Sequence, residues 1–320
     1  MKALAGACLL IFVLAAASLF VGVSDVTPGK LIGADAGSRA LQVLLASRIP
    51  RTLAIILAGM SMAVAGFIMQ MLARNRFVEP STAGTMESAS LGMLVVTLLA
   101  PQAPVMGKML AASAFALAGT ALFLRILRSI PLRSVLIVPL VGIMMGNVIS
   151  AVATFIAYRF DLLQALAAWT TGDFSSVLRG RYELLWLSFL LTGIAYFAAD
   201  RFTVAGLGED FTTNLGLHYR RVLRLGLVIV SMVTASVVAT VGMVPFVGLI
   251  VPNIVAMAMG DNMRHALPWV AILGAGLVLA CDLAGRLIRF PYEIPVGTVM
   301  GVVGSALFLA LLLRKRRQLG

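Results

Sequence analysis

The amino-acid sequence predicts an all-α, polytopic membrane protein. Its 320 residues are 61% hydrophobic and 12% charged, with a mean hydropathy of +1.02. Soluble domains are about half apolar and about a quarter charged, so this chain lies outside that class. Apolar windows of about 20 residues, long enough to cross a bilayer as a helix, recur along the whole chain. We expect a single transmembrane domain over residues 1–320 with about ten membrane-spanning helices.

The predicted spans follow one another with short polar or turn-rich breaks. They are residues 4–24, 52–72, 82–100, 109–127, 134–156, 183–199, 221–241, 244–260, 267–288 and 294–313. The first window is longer than the apolar core of a typical signal peptide, so it predicts an uncleaved first helix. The weakest boundary is at 241–245, where almost nothing polar separates two spans.

Charge indicates the orientation. An even number of spans puts both termini on one side, and the basic cluster Arg314–Arg317 favours the cytoplasm for that side. The net charge of +12 is typical of basic loops in a membrane protein. Since no basic stripe is interleaved with aromatic residues, we expect no nucleic-acid binding.

The run from Gly242 to Gly260 is as long as a span but contains Pro245 and Pro252. Proline removes a backbone donor and clashes with the preceding turn, so a lone helix would kink or break at both points. At membrane depth such breaks persist only where neighbouring helices or a cavity satisfy the backbone. The run therefore predicts a bend inside a helix bundle.

Motifs for chemistry are missing from the sequence. No GxxxxGK[ST] motif is present, so the chain is not expected to bind or hydrolyse ATP itself. His218 and His265 are far apart, and Cys8 and Cys281 are isolated in apolar runs, which gives no metal or nucleophile pattern. We expect a protein that is not an enzyme and has no cofactor or metal of its own.

Two acidic residues lie well within apolar windows. Asp282 with Arg286 at i+4 predicts a helix-face ion pair inside the bundle, or less favourably a transport role. Glu87 lies one turn into its helix, where the helix dipole favours an anion. A position lining a transport pathway explains Glu87 equally well.

Several stretches together resemble one family. They are Ser47–Leu53, Gln70 followed by Arg74–Pro80, Leu207–Gly216, Val241–Asn253, and Asp282 and Arg286 followed by Glu293–Gly297. In order and spacing they resemble the permease subunit of iron–siderophore and cobalamin ABC importers, the type II class. Within it the chain is most similar to catecholate siderophore permeases.

The resemblance implies a function and a set of partners. It implies import of a ferric siderophore across the bacterial inner membrane, driven by a separate pair of cytoplasmic ATPase subunits that bind ATP and Mg²⁺. It also implies a periplasmic or lipid-anchored substrate-binding protein and a second permease subunit, identical or related. An ion-coupled secondary transporter of a small solute is the alternative, which the broken 242–260 run supports and the scarce acidic residues disfavour.

The resemblance also implies roles for particular residues. Arg48, Arg51 and Arg286 would face outward and dock acidic residues of the binding protein. Residues 207–221 would couple to the ATPase, through Gly208, Glu209, Asp210, Phe211, Thr212, Leu215 and Gly216. Glu87, Pro245, Pro252 and Asn253 would belong to the gate or pathway. The chain departs from the family pattern at Glu87, Asp210–Thr212, Asn253 and Ala256.

Overall fold

A computed structural model of the chain describes residues 2–22, 39–129, 137–260 and 262–316, and within them it is helical with no β-strand. The helices are α1 (Lys2–Phe20), α2 (Arg39–Val43), α3 (Ile49–Leu72), α4 (Thr85–Leu99), α5 (Val105–Ser129), α6 (Ile137–Arg159), α7 (Leu163–Thr170), α8 (Leu185–Phe197), α9 (Ala199–Gly206), α10 (Glu209–Asn214), α11 (Tyr219–Val241), α12 (Val247–Met259), α13 (Met263–Leu287) and α14 (Val296–Arg316). A π-helical turn, Leu44–Arg48, joins α2 to α3.

Each predicted span coincides with a helix in this part of the chain. Five helical segments are long and apolar enough to cross a membrane: Arg39–Leu72, Val105–Leu127, Ile137–Arg159, Tyr219–Val241 and Met263–Leu287. The pair α8 and α9, bent by 66°, forms a sixth, while α1, α4, α12 and α14 are shorter apolar helices. The predicted all-α polytopic fold is confirmed.

Helix α3 is the centre of the bundle. It packs against α8, α11, α12 and α13, and most of its residues are buried. Small residues permit the close crossing with α13, because a Cβ added at Gly59 would lie 2.7 Å from the Gly274 carbonyl oxygen.

Among the five long segments α6 is the least buried. Its exposed apolar side chains, such as Met144 and Phe155, therefore face lipid or another subunit.

The prediction missed two details. The segment between the predicted spans 134–156 and 183–199 contains the short helix α7, and the window 183–199 ends in the sharp bend between α8 and α9. Some residues used in the prediction lie outside the described part: residues 23–24 and 134–136 of two windows, and Arg317 of the basic cluster.

Candidate functional site

The predicted bend lies between α11 and α12. Helix α11 ends at Val241, and α12 begins only at Val247. Gly242 has φ 82°, and a Cβ there would also collide with the Thr171 carbonyl, so glycine is required. Phe246 has φ 66°, which is uncommon for a residue with a side chain. The chain thus passes from α11 to α12 through two residues with positive φ.

A carboxylate from a distant loop caps the amino end of α12. Glu79 is fully buried, and its Oε1 accepts a hydrogen bond from the Phe246 N–H at 2.7 Å. The same oxygen accepts a hydrogen bond from the Ser81 hydroxyl. The first N–H groups of a helix lack internal partners and carry partial positive charge. A carboxylate there accepts a hydrogen bond from them and offsets that charge.

Side-chain amides satisfy the backbone around Pro252. Because proline has no N–H, the Gly248 carbonyl four residues earlier loses its helical donor. Gln70 Nε2 supplies that donor at 3.2 Å. Asn253 Nδ2 lies 2.6 Å from the Leu249 carbonyl oxygen and 2.7 Å from that of Arg76, and donates to both. The proline is therefore accommodated by polar groups from α12 itself and from the end of α3.

Helix α12 begins against the middle of α3. A Cβ added at Gly248 would lie 2.8 Å from Gly66 Cα and 2.9 Å from the Met62 carbonyl oxygen, so two glycines let the backbones touch. At 13 residues α12 is about 20 Å long, which is shorter than the roughly 30 Å hydrocarbon core. The amino end of α12, and with it the bend, therefore lies inside the bundle beside the middle of α3.

A cavity of about 280 Å³ adjoins this bend. Its lining residues are Ser81, Met86, Glu87, Thr170, Thr171, Gly172, Met243, Pro245, Gly297 and Thr298. Of the residues predicted for the gate or pathway, Glu87 and Pro245 line the cavity, whereas Pro252 and Asn253 lie farther along α12. Sequence reasoning missed Ser81 and the threonines, which carry no motif.

The three predicted docking arginines lie together but are mostly buried. Arg51 and Arg286 are 7% and 2% exposed, and both contact the Asp282 carboxylate. Arg51 Nη2 lies 2.7 Å from Asp282 Oδ1, and its Nη1 lies 2.6 Å from Glu293 Oε2. The ion pair predicted between Asp282 and Arg286 is therefore present, within a network of four charged groups.

Two of these arginines also hold the carboxyl end of α1. Arg48 Nη1 donates to the Val21 carbonyl at 2.6 Å, and Arg286 Nη1 donates to those of Ser18 and Val21 at 2.9 and 3.0 Å. The Ser18 and Thr52 hydroxyls lie 3.1 Å apart. Cations suit the unpaired carbonyls at a helix end. No sequence pattern could reveal these backbone acceptors.

The predicted coupling segment contains the short helix α10. Gly208 and Gly216 flank it with φ values of 118° and 78°, as expected for glycines at helix boundaries. Leu207, Phe211 and Leu215 are about 60% exposed, and their spacing of four puts them on one face. Thr212 is buried instead, and its Oγ1 donates to the Gly208 carbonyl at 2.6 Å. The short helix is confirmed, while its role remains a prediction.

The arginine network and the coupling segment lie at opposite ends of α3. Arg51 is in the first turn of this helix, and Arg74 lies two positions beyond its last residue, Leu72. A Cβ added at Gly208 would lie 3.0 Å from Arg74 Nη1. Twenty-four residues give α3 a length of about 36 Å, enough to cross a bilayer.

A bundle of apolar helices around one buried helix, with a half-length helix held by polar caps, is the architecture of a polytopic membrane protein. A solved structure of a metal-chelate type ABC transporter in an inward-facing conformation is similar in fold, with a TM-score of 0.80 at 24% identity, covering 98% of this chain and 99% of that one. The expected importer-permease fold is thereby confirmed. The model of the FecCD transport family matches residues 9–314, and the chain belongs to this family.

Two similar permeases support the assignment to this family. The chain is 51% identical to the Petrobactin import system permease protein YclN of Bacillus subtilis, over 96% of this chain and 97% of that protein. It is 43% identical to the Petrobactin import system permease protein FatD of Bacillus anthracis, over 97% and 91% of the two chains. The chain is thus a multi-pass membrane permease, a class of protein that is not an enzyme.

Proposed function

We propose that this chain is the transmembrane permease subunit of an ABC importer that moves a ferric siderophore into the cytoplasm. The observation that carries the proposal is the 51% identity, along nearly the whole of both chains, to a petrobactin import permease. A relative named as a ferric-anguibactin transport permease, 41% identical, supports the same class of cargo.

A pair of cytoplasmic ATPase subunits, binding ATP and Mg²⁺, drives the transport in this proposal. The exposed apolar face of Leu207, Phe211 and Leu215 supports a contact with such a partner, because an aromatic anchor flanked by aliphatic side chains suits a protein groove. Asp210 and Glu209 would form its polar rim. The termini would lie on this same cytoplasmic side.

The opposite end of α3 would receive a periplasmic or lipid-anchored binding protein. Arg51 and Arg286 pair with two carboxylates there, and Arg48 donates to the backbone carbonyl of Val21, which leaves positive charge in excess. The Glu293 side chain is 26% exposed, whereas that of Asp282 is fully buried. We therefore propose that an acidic residue of the binding protein takes the place of Glu293 on Arg51, while Asp282 keeps both arginines in position.

A second permease subunit, identical or related, would complete the pathway. The exposed apolar face of α6, which includes Leu140, Met144 and Phe155, is large enough to pack against such a subunit. The bend at Pro245, with Glu87 beside it and Pro252 and Asn253 beyond, would line or gate the path. A half-length helix can move with less disturbance than a full span, which favours a gate there.

Uptake of labelled iron tests the proposal. A strain that lacks this chain is supplied with ⁵⁵Fe bound to a catecholate siderophore, with and without the chain restored on a plasmid. We expect uptake only with the chain restored, and none when the partner ATPase carries an inactivating substitution. Restored uptake that is indifferent to the ATPase would contradict the proposal.

A further inference from the structure

Glu87 lines the cavity beside the bend without a cation to neutralise it. It stands in the first turn of α4, and its Oε2 is buried without a hydrogen-bond partner among the described residues. None of the residues lining this cavity is basic. A buried carboxyl group without a cation either takes up a proton or carries a large desolvation cost, and the helix dipole supplies only a partial charge. A partner that arrives with a ligand would remove this cost.

A second carboxylate makes the same region more negative. Glu79 is fully buried, and its Oε2 lacks a hydrogen-bond partner in the described part of the chain. Ser81 connects the cavity with Glu79, because it lines the cavity and its hydroxyl donates a hydrogen bond to the Glu79 carboxylate. A second carboxylate next to the cavity adds negative charge to this region, which favours a cation there.

The remaining wall shows what kind of cation would fit. Hydroxyl groups that can accept hydrogen bonds come from Ser81, Thr170, Thr171 and Thr298, and apolar contacts come from Met86, Met243 and Pro245. An ammonium group has three donors, and its methylene stem is apolar. The cavity volume of about 280 Å³ corresponds to about nine water-sized groups. That is enough for a short alkylammonium arm.

A bare metal ion fits less well. Calcium takes six or more oxygen ligands, and magnesium needs near-octahedral geometry. The described residues contain no group of three or more His, Cys, Asp or Glu side chains that could hold a metal ion. One carboxylate with hydroxyls and apolar walls suits an organic cation better than an ion stripped of water.

We propose that this cavity binds a protonated amine of the cargo, with the Glu87 carboxylate as its counter-ion. The inference rests on the proposed function, since it concerns the cargo that the importer carries. It assigns to the pathway a preference for ligands that bear a basic nitrogen on an aliphatic chain. The hydroxyls orient the ammonium group, and the methionines contact its stem.

Binding to the full-length chain in lipid nanodiscs tests this without transport. The probes are n-butylammonium and its neutral counterpart n-butyramide, and the measurement is the shift of the thermal unfolding midpoint with probe concentration. We expect a shift with butylammonium only, which Glu87→Gln abolishes and the exposed control Glu183→Gln retains. Equal shifts with both probes, or an ammonium shift that survives Glu87→Gln, would overturn the proposal. Should Glu87→Gln fail to fold, Thr298→Val must weaken the ammonium shift, and an unaltered shift overturns the proposal equally.

Uptake by the complete importer provides the second test. Two ferric siderophores are compared that differ only in one secondary amine, free in one and acetylated in the other. We expect wild type to prefer the free amine by about tenfold, the worth of one charge-assisted hydrogen bond, and Glu87→Gln to remove the preference. A preference unaltered by Glu87→Gln contradicts the inference. Uptake of neither cargo by wild type counts against the proposed function instead, while the nanodisc measurement still decides the inference.

Discussion

The side-chain amide of Gln70 donates a hydrogen bond to the backbone carbonyl of Gly248 at 3.2 Å, across 178 residues of sequence. This carbonyl is the one that Pro252 deprives of its helical donor. At the other end of the same half-length helix, Glu79 accepts from the N–H of Phe246. A proline-containing helix is therefore stable inside the bundle, because α3 provides the missing donor and the loop after α3 provides the missing acceptor.

The first prediction concerns this substitute donor. Gln70→Ala leaves the buried Gly248 carbonyl unpaired, which should cost about 1–3 kcal/mol of stability. Pro252→Ala restores a backbone N–H that can bond the same carbonyl, so it should rescue much of the loss in the double variant. Thermal unfolding of the purified single and double variants measures the coupling. Simple additivity of the two effects would mean that the amide does not replace the missing donor.

The second prediction concerns the contact between α3 and α12. Gly248→Ala places a methyl group against the Gly66 backbone, which cannot move aside as a side chain could. We expect about 3 kcal/mol of destabilisation, or loss of the folded protein from the membrane. Gly193→Ala in α8 is the matched control, since nothing lies within 4 Å of the added atom and alanine favours a helix. Equal abundance of the two variants by immunoblot would show that the close approach is unimportant.

The third prediction separates the buried ion pairs from an exposed one. Asp282→Asn leaves Arg51 and Arg286 without their shared buried carboxylate and should cost about 3–5 kcal/mol. Arg264 and Asp200 form an exposed pair, with side chains 52% and 58% accessible, so Arg264→Gln should change the unfolding midpoint far less than Asp282→Asn does. Thermal unfolding of both variants provides the comparison. Similar shifts would contradict the structural role of Asp282.

The fourth prediction concerns the exposed face of the coupling segment. In a background with Cys8 and Cys281 replaced by alanine, a cysteine at Phe211 should form a disulfide with a cysteine introduced into the facing surface of the ATPase subunit, because this side chain is 62% exposed. A cysteine at the adjacent Thr212 should not, because that position is fully buried. Non-reducing gel electrophoresis of the oxidised complex detects a crosslink at either position. A crosslink at 212 alone, or at neither position, would argue against the proposed interface.

The helices and the bend could be predicted from the sequence because their signals are local. Twenty-residue apolar windows located the spans, and Pro245 with Gly242 located the bend between α11 and α12, whereas the break expected at Pro252 is absent because α12 continues through it as one helix. The i+4 spacing of Asp282 and Arg286 likewise predicted their ion pair. Each of these features depends on residues within a few positions of one another.

The polar partners could not be predicted, because each depends on packing between distant segments. Glu79 caps a helix 167 residues away, and nothing local marks it as a cap. Arg48 and Arg286 were expected to face outward, yet they also bind backbone carbonyls at the end of α1. Backbone groups carry no sequence signature, so this use of the arginines required the structure.

Transport by purified components tests the central claim most directly. The chain is reconstituted with its ATPase, its binding protein and any second permease in proteoliposomes, and entry of ⁵⁵Fe-siderophore is measured with ATP or with an imposed proton gradient alone. We predict entry that requires ATP and the binding protein and persists when a protonophore dissipates the gradient. Entry driven by the gradient without ATP would contradict the account and favour an ion-coupled carrier.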